Sequence, residues 1–254
     1  MDWASRWGMQ FNTGKCKVMH VGRHNPAYTY EMGGQKLETT ATEKDIGVIV
    51  NSDLKPSDQC AKAARTASTV LGQITRSFHY RDRWTFVNLY KLYVRPHLEF
   101  ATPAWRPWAK GDVDALEKVQ IRAVNMISGM GELTYEQRLQ ELHMDTLEDR
   151  RKDSDMFETF KIMKGISKVN RATWFTCAAE ESGRLTRLTA DPLNLRVPAT
   201  RLEIRKNFFS VRVCEQWNTL PSEVKRCENL GQFKTAYKKH KNDCARATEP
   251  ARAT

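Results

Sequence analysis

The chain has 254 residues, with 41 Lys or Arg against 30 Asp or Glu, so its formal net charge at pH 7 is +11. That length can bury a core in one large or two modest domains, and it favours two. No run of 18 apolar residues occurs, and the start of the chain lacks an apolar stretch, which argues against a membrane-spanning helix and a secretory signal. The positive charge suits a polyanionic partner, although a solvated cationic surface would carry the same charge.

Residues 1 to 54 are the part of the chain in which the sequence predicts β-strands. Apolar residues alternate with polar ones before the pair Gly33-Gly34, which predicts short strands and a hairpin. Residues 46 to 50 predict a further strand. Pro56 then suits the first turn of a long helix. The apolar positions of this helix recur at alternating spacings of four and three: Cys60, Ala64, Ala67, Leu71, Ile74 and Phe78.

Three cations of the same helix, Lys62, Arg65 and Arg76, lie largely on the face opposite this seam. A basic stripe that faces a phosphate backbone has this pattern, and an ordinary solvated helix face has it too. The helix alone favours the solvated face, because most charged helix faces are of that kind.

Residues 83 to 127 combine two helical patterns around a corner rich in proline and tryptophan. The first pattern is apolar almost all the way round, which predicts a helix that is packed on several sides and ended by Arg95-Pro96. Trp105 and Trp108 follow between prolines, and we expect these rings to wedge the helices together. The second helix is predicted to start at Gly111-Asp112 and to bury one stripe.

Helical patterns dominate the rest of the chain. Residues 135 to 142 and 147 to 166 predict two helices, and residues 208 to 213 predict a strand or a buried turn before further helices. Residues 184 to 244 hold 13 Lys or Arg against 6 Asp or Glu, so this region is basic. The predicted fold class is mainly α with a small N-terminal β element.

Several of these segments carry a family resemblance. The run LYKLYVRPHLEFATPAWRPW, followed after a short spacer by LEKVQIRA, resembles the segment just after the polymerase core of non-LTR retrotransposon reverse transcriptases of the jockey-like and chicken-repeat-like kind. That family usually has tyrosine where this chain has Phe100. Two later runs, RRKDSDMFETFKIMKGI and RKNFFSVRVCEQWNTLPSEV, also resemble segments of the family. The resemblance covers about residues 7 to 240.

The same resemblance implies roles near the start of the chain. The run GMQFNTGKCKVMHVG resembles the family's motif D, whose lysine, here Lys15, approaches the incoming nucleotide and protonates the departing pyrophosphate. The run EKDIGVIVNSDL resembles motif E, the primer grip, and assigns that role to Ile46, Gly47 and Val48. Without the family, Lys15 is an exposed turn lysine and the second run is a core strand with a glycine bend.

The resemblance divides the chain into a palm remnant, a helical thumb bundle and a basic, mostly helical C-terminal domain, and the small polar residues at the end predict a disordered tail. These parts cover residues 1–54, 55–130, 131–244 and 245–254, respectively. A thumb helix lies along the template–primer duplex, where cations touch phosphates and contribute affinity that weakens with salt. The resemblance therefore favours phosphate contacts for the three cations of the long helix.

Polymerase chemistry is expected to be absent from the isolated chain. It needs paired carboxylates that hold two Mg²⁺ ions, and no Asp-Asp dipeptide occurs in this sequence. The resemblance implies that the palm, fingers and endonuclease domains of a parent polyprotein, with Mg²⁺, complete the enzyme. It also implies RNA or an RNA/DNA hybrid as the partner, no membrane, and an intracellular location in a cytoplasmic ribonucleoprotein and the nucleus.

Two alternatives stay open. Cys214, Cys227, His240 and Cys244 are residue types that bind zinc, but the early spacings are too long for the short Cys-Cys hairpin of such sites. Reduced, incidental thiols explain them as well, because the six cysteines are widely scattered.

The rival to the polymerase interpretation is a domesticated, non-enzymatic helical module that binds RNA or a protein partner.

Overall fold

The computed structural model describes residues 2–22, 24–79, 82–181, 186 and 188–248. About 56% of the chain is helical and its strands are few and short, so the prediction of a mainly α fold is confirmed. The α-helices are α1 (Asp2–Arg6), α2 (Ser57–Ser77), α3 (Arg83–Leu89), α4 (Arg95–Glu99), α5 (Thr102–Trp105), α6 (Lys110–Asn125), α7 (Tyr135–Glu141), α8 (Leu147–Met163), α9 (Arg171–Trp174), α10 (Ala178–Glu181), α11 (Glu203–Lys206), α12 (Phe209–Thr219), α13 (Ser222–Lys225) and α14 (Leu230–Thr248). A 3-10 turn covers Thr13–Lys15 and a π-helix covers Tyr90–Val94.

Short strands pair two by two in the amino-terminal region. They are β1 (Lys17–Val18), β2 (Glu31–Met32), β3 (Gln35–Lys36), β4 (Glu38–Thr39), β5 (Thr42–Asp45) and β6 (Val48–Asn51). β1 and β4 are parallel, whereas β2–β3 and β5–β6 are antiparallel hairpins. The β2–β3 hairpin turns at Gly33-Gly34, as predicted, and both glycines have a positive φ, which glycine adopts without steric cost.

The first hydrophobic core surrounds α2. This helix begins directly after Pro56, as predicted, and packs against α4, α6 and the π-helix. Its buried apolar residues are Cys60, Ala63, Ala67, Leu71 and Ile74. The predicted seam is correct except at two positions, because Ala64 is only half-buried and Phe78, which follows the last turn, is exposed.

The segment after α2 is one helical path that runs from α3 through the π-helix into α4, so the prediction that Arg95-Pro96 ends the helix is wrong. Proline has no N–H group and cannot continue an α-helical ladder. The chain winds more loosely just before it, and the Arg95 N–H donates to the Tyr90 carbonyl five residues earlier. Pro96 then occupies the first turn of α4, a position that needs no N–H donor.

Three large apolar residues of this helical path are exposed. Trp84, Leu92 and Tyr93 are 76%, 67% and 56% exposed, so the prediction of a helix packed on several sides is wrong here. Tyr90 and Val94 of the same path are buried in the first core. Apolar composition predicts a tendency to be buried, but it does not supply a neighbouring element for every face.

The Pro/Trp corner packs as predicted at Trp105. This residue is buried, and its indole Nε1 donates to the Phe100 carbonyl at 2.7 Å. Trp108 is half-buried. The following helix, α6, begins at Lys110 and buries the stripe Leu116, Val119 and Ala123 against α2.

α8 connects the first core to a second one. Leu147 at its start belongs to the first core, whereas Met156 and Phe160 pack with α12 and α14 in the second. α12 begins at Phe209, so the prediction of a strand or buried turn at residues 208 to 213 is wrong. The aromatic and β-branched residues of that run resemble a strand locally, but they bury one helical face between α8 and α14.

The WNTLP segment forms an anchored corner. Trp217 donates its indole N–H to the Leu193 carbonyl at 2.8 Å. The Asn218 side chain accepts from the Leu195 N–H and donates to the Leu195 carbonyl, both at 2.7 Å. These bonds fix an extended loop against α12. Residues 245 to 248 of the predicted tail continue α14, and residues 249 to 254 lie outside the described residues.

Candidate nucleic-acid interface

The β5–β6 hairpin carries the three residues predicted for the primer grip. Asp45 pairs with Val48, so Ile46 and Gly47 alone form the turn. Their φ angles are 43° and 89°, and two positive φ angles are typical of a two-residue type I′ turn. The strand therefore begins at Val48, and the predicted strand over residues 46 to 50 is corrected by two residues at its start.

Ile46 is strained and exposed at the tip of this turn. A β-branched residue with a positive φ has a steric cost of about 1–3 kcal/mol. The Ile46 side chain is 88% exposed, so packing within the described chain does not offset that cost. Strain of this kind persists only where the surroundings impose it, and it clusters at functional sites.

α2 holds the strained turn in place. The Lys62 ammonium Nζ donates to the Gly47 carbonyl at 3.0 Å, and the buried Gln59 side chain accepts from the Ile49 N–H at 2.9 Å. Both side chains project from the amino-terminal third of α2. The turn is therefore hydrogen-bonded to the helix that was predicted to carry the phosphate contacts.

Phe100 closes the other side of the turn. A Cβ atom placed on Gly47 would lie 3.2 Å from the Cε1 atom of the Phe100 ring, which is closer than ordinary van der Waals contact. Two segments of the family resemblance, the primer-grip run and the run that contains Phe100, thus meet at one point. Only glycine fits both the backbone angle and the space.

We expect Gly47→Ala to lower the free energy of unfolding by about 2 kcal/mol, because it combines backbone strain with the Phe100 contact. Gly22→Ala is the matched control: Gly22 has a φ of 94°, and a Cβ there would meet no atom of the described residues within 4 Å. We expect the control to cost about half as much. Urea unfolding of both variants measures the difference, and equal losses would show that Phe100 does not constrain the turn.

The two arginines predicted for phosphate contact lie on one stripe of α2. Arg65 and Arg76 are exposed, and their side chains form no ion pair with the described residues. They are eleven residues apart, which places them about 16 Å apart along the helix and about 20° apart around it. This spacing lets both guanidinium groups reach the same polyanion. Lys62, one turn before Arg65, is half-buried and already bonded to the turn.

Lys15, the predicted motif D lysine, ends the 3-10 turn and is exposed. Its neighbour β1 pairs with β4, and only two residues separate β4 from β5. The structure shows no hydrogen bond between Lys15 and the Ile46–Gly47 turn within the described chain. Its catalytic role stays a prediction that requires a palm.

The zinc candidate residues occupy different surroundings. Cys214 is buried in the second core, where burial raises the pKa of its thiol to about 11. Cys227 is half-buried. His240 and Cys244 lie one turn apart on α14, with Nε2 and Sγ 3.6 Å apart.

The described residues contain no group of three or more His, Cys, Asp or Glu side chains that could hold a metal ion. With no Asp-Asp dipeptide in the sequence, the donor set does not fit the two Mg²⁺ ions of polymerase chemistry.

A buried ion cluster that the sequence did not reveal joins three segments. The Asp155 carboxylate of α8 accepts from Arg106 at 2.7 Å and from two nitrogens of Arg212 at 2.8 and 2.9 Å. Arg212 also donates to the Pro103 carbonyl at 2.8 Å, and Asp155 is 1% exposed. The Pro/Trp corner, α8 and α12 therefore share one charged centre.

Comparison with known proteins adds no relative: no family model, no curated protein and no solved structure matches the chain. Among the described residues, no helix is both long enough and apolar enough to cross a membrane.

Proposed function

We propose that the chain is the carboxyl-terminal part of a non-LTR retrotransposon reverse transcriptase and that it binds an RNA/DNA hybrid or RNA through the β5–β6 turn and α2. The observation that carries the proposal is the hydrogen bond from Lys62 to the Gly47 carbonyl. It holds a strained, exposed turn against α2 through Lys62, which lies one helical turn before Arg65 in the Arg65 and Arg76 stripe. A primer-grip turn packed against a thumb helix would have this arrangement.

In this proposal the two elements have different tasks. Arg65 and Arg76 contact phosphates, which adds affinity without reading the base sequence. Ile46 presents an apolar side chain to the sugars of the primer end, and Gly47 with Val48 keeps the turn rigid. The reaction itself needs the carboxylates and Mg²⁺ of a palm, and Lys15 acts only beside that palm. The parts of the chain are then palm remnant, thumb, C-terminal domain and tail, within an intracellular ribonucleoprotein.

A salt titration tests the binding. We expect the purified chain to bind an RNA/DNA hybrid with an affinity that falls as salt rises, because each neutralised phosphate releases a condensed counterion. Two to three phosphate contacts give a slope of about −2 to −3 in a plot of log K against log salt concentration. Fluorescence anisotropy between about 50 and 200 mM salt measures this slope. Undetectable binding at low salt, or an affinity that does not change with salt, would contradict the proposal.

One observation favours the rival, a non-enzymatic helical module with a protein partner. Trp84, Leu92 and Tyr93 are three large apolar side chains that are exposed along one helical path, and exposed apolar patches mark protein interaction sites. The DNA immediately upstream separates the two candidates. An in-frame Phe/Tyr-x-Asp-Asp motif supports the polymerase fragment, in which the missing palm and fingers are partners, whereas flanking exons of a host gene support the module.

A further inference from the structure

A cationic pocket lies away from the β5–β6 turn, between the start of α6, the first half of α8 and α12. It has a volume of about 550 Å³, which is within the usual range of small-molecule sites. Five of the residues that line it are cations: Arg106, Lys110, Arg151, Lys152 and Arg212. Two carboxylates, those of Asp114 and Glu148, also line it. We call this site the α6–α8 pocket.

Five cations but only two carboxylates are among the residues that line the α6–α8 pocket. Arg106 and Arg212 share the single carboxylate of Asp155, at 2.7 and 2.8 Å. Lys152 is paired with Glu148 at 2.9 Å and with Asp149, which does not line the pocket, at 3.8 Å. Lys110 is exposed and forms no ion pair with the described residues. The pocket therefore keeps a positive excess at its wall, which attracts anions.

Arg151 adds a second and independent observation. Its side chain is 1% exposed, and the Nε, Nη1 and Nη2 atoms have no hydrogen-bond partner among the described residues. Burial lowers the pKa of this guanidinium, and the Glu117 carboxylate partly offsets the effect. A buried charge without hydrogen bonds is costly to leave in that state. Five N–H donors thus stand next to a cationic pocket with no acceptor of their own.

We propose that the α6–α8 pocket binds the phosphate group of a nucleotide. Arg106 and Lys110 contact the phosphate from the pocket wall, and the Arg151 side chain turns toward it to complete its hydrogen bonds. A phosphate presents three acceptor oxygens and matches the planar fork of guanidinium better than a point acceptor does. Half-buried Trp108 borders the same pocket and offers a ring face for a base.

The nucleotide has two sources, a free nucleotide or the backbone of a nucleic acid, and the test separates them. The full chain is titrated in phosphate-free buffer with inorganic phosphate, with adenosine 5′-monophosphate, and with a short single-stranded RNA. We expect a ligand at a hundredfold excess over its Kd to raise Tm by about 5 °C or more. A rise in Tm with the monophosphate identifies a free nucleotide as the ligand. A rise in Tm with the RNA alone identifies the nucleic-acid backbone as the ligand.

Arg151→Met removes the guanidinium and keeps an apolar side chain of similar length. We expect it to weaken binding of the responding ligand at least tenfold, because charged hydrogen bonds are lost. We also expect the ligand-free variant to unfold at no lower temperature than the parent, since a buried unpartnered charge is removed. Lys239→Met, an exposed change outside the pocket, is the matched control and should bind as the parent does.

If Arg151→Met does not fold, Lys110→Met is the second test variant, because Lys110 is exposed and its replacement should leave the fold intact. The proposal is overturned if none of the three probes stabilises the parent chain, or if both pocket variants respond as the parent does. It stands apart from the proposed polymerase role, because Arg65 and Arg76 do not line this pocket. Loss of hybrid binding with an intact phosphate response would refute only the polymerase role.

Discussion

Replacing Asp155 with alanine is expected to lower the free energy of unfolding by about 3–5 kcal/mol. The substitution leaves the Arg106 and Arg212 guanidinium groups without their shared carboxylate, and the side chain of Arg212 is only 11% exposed. Breaking a buried pair by removing one partner leaves an uncompensated charge in a poorly solvated place. Because this centre joins the Pro/Trp corner to both α8 and α12, the loss should loosen contacts between the two cores. Urea unfolding followed by circular dichroism measures the change.

Glu203→Ala is the matched control for Asp155→Ala. Glu203 also pairs with a cation, Lys206 at 2.7 Å, but its side chain is 68% exposed. We expect the control to change stability by less than about 1 kcal/mol, because exposed ion pairs contribute little. A second comparison replaces all three charged residues by apolar ones, Arg106→Met, Asp155→Leu and Arg212→Met. This triple variant should lose less stability than Asp155→Ala alone. Equal losses in Asp155→Ala and Glu203→Ala would contradict the central position of the cluster.

This cluster shows why part of the structure was outside the reach of the sequence. The helices α2, α7 and α8 were predictable because their apolar periodicity and their first residues are local signals. The partners of Asp155 stand 49 and 57 residues away along the chain, so no local pattern connects them. The same is true of the contact between Gly47 and Phe100. Only the packed fold brings these residues together.

The predictions that the structure contradicts failed for local reasons. Pro96 was predicted to end a helix because a π-helical turn before a proline has no sequence pattern of its own. Residues 208 to 213 look like a strand because aromatic and β-branched residues favour strands, and tertiary packing outweighed that preference. At Ile46, a residue with strong strand propensity occupies a turn that usually takes asparagine or aspartate before the glycine. That mismatch between residue and backbone makes the turn a candidate for function.

Replacing Arg65 and Arg76 together by glutamine is expected to reduce affinity for an RNA/DNA hybrid by about tenfold to a hundredfold at low salt. Each phosphate contact that is lost should also make the salt slope shallower by about one unit, so the double variant should lose about two. Both side chains are exposed, and exposed substitutions change stability by only about 0.5 kcal/mol. The fold should therefore remain intact, and the Tm of the variant checks that it does.

Lys168→Gln with Lys239→Gln is the control that decides between two explanations. Both lysines are exposed and lie outside α2. This variant also removes two positive charges, so its net charge equals that of the arginine variant. If net charge alone attracts the nucleic acid, the two double variants lose affinity equally, because long-range attraction depends on total charge. If the α2 stripe touches the phosphates, only the arginine variant loses affinity and slope. Equal losses would remove the stripe from the proposed interface and leave a non-specific cationic surface as its explanation.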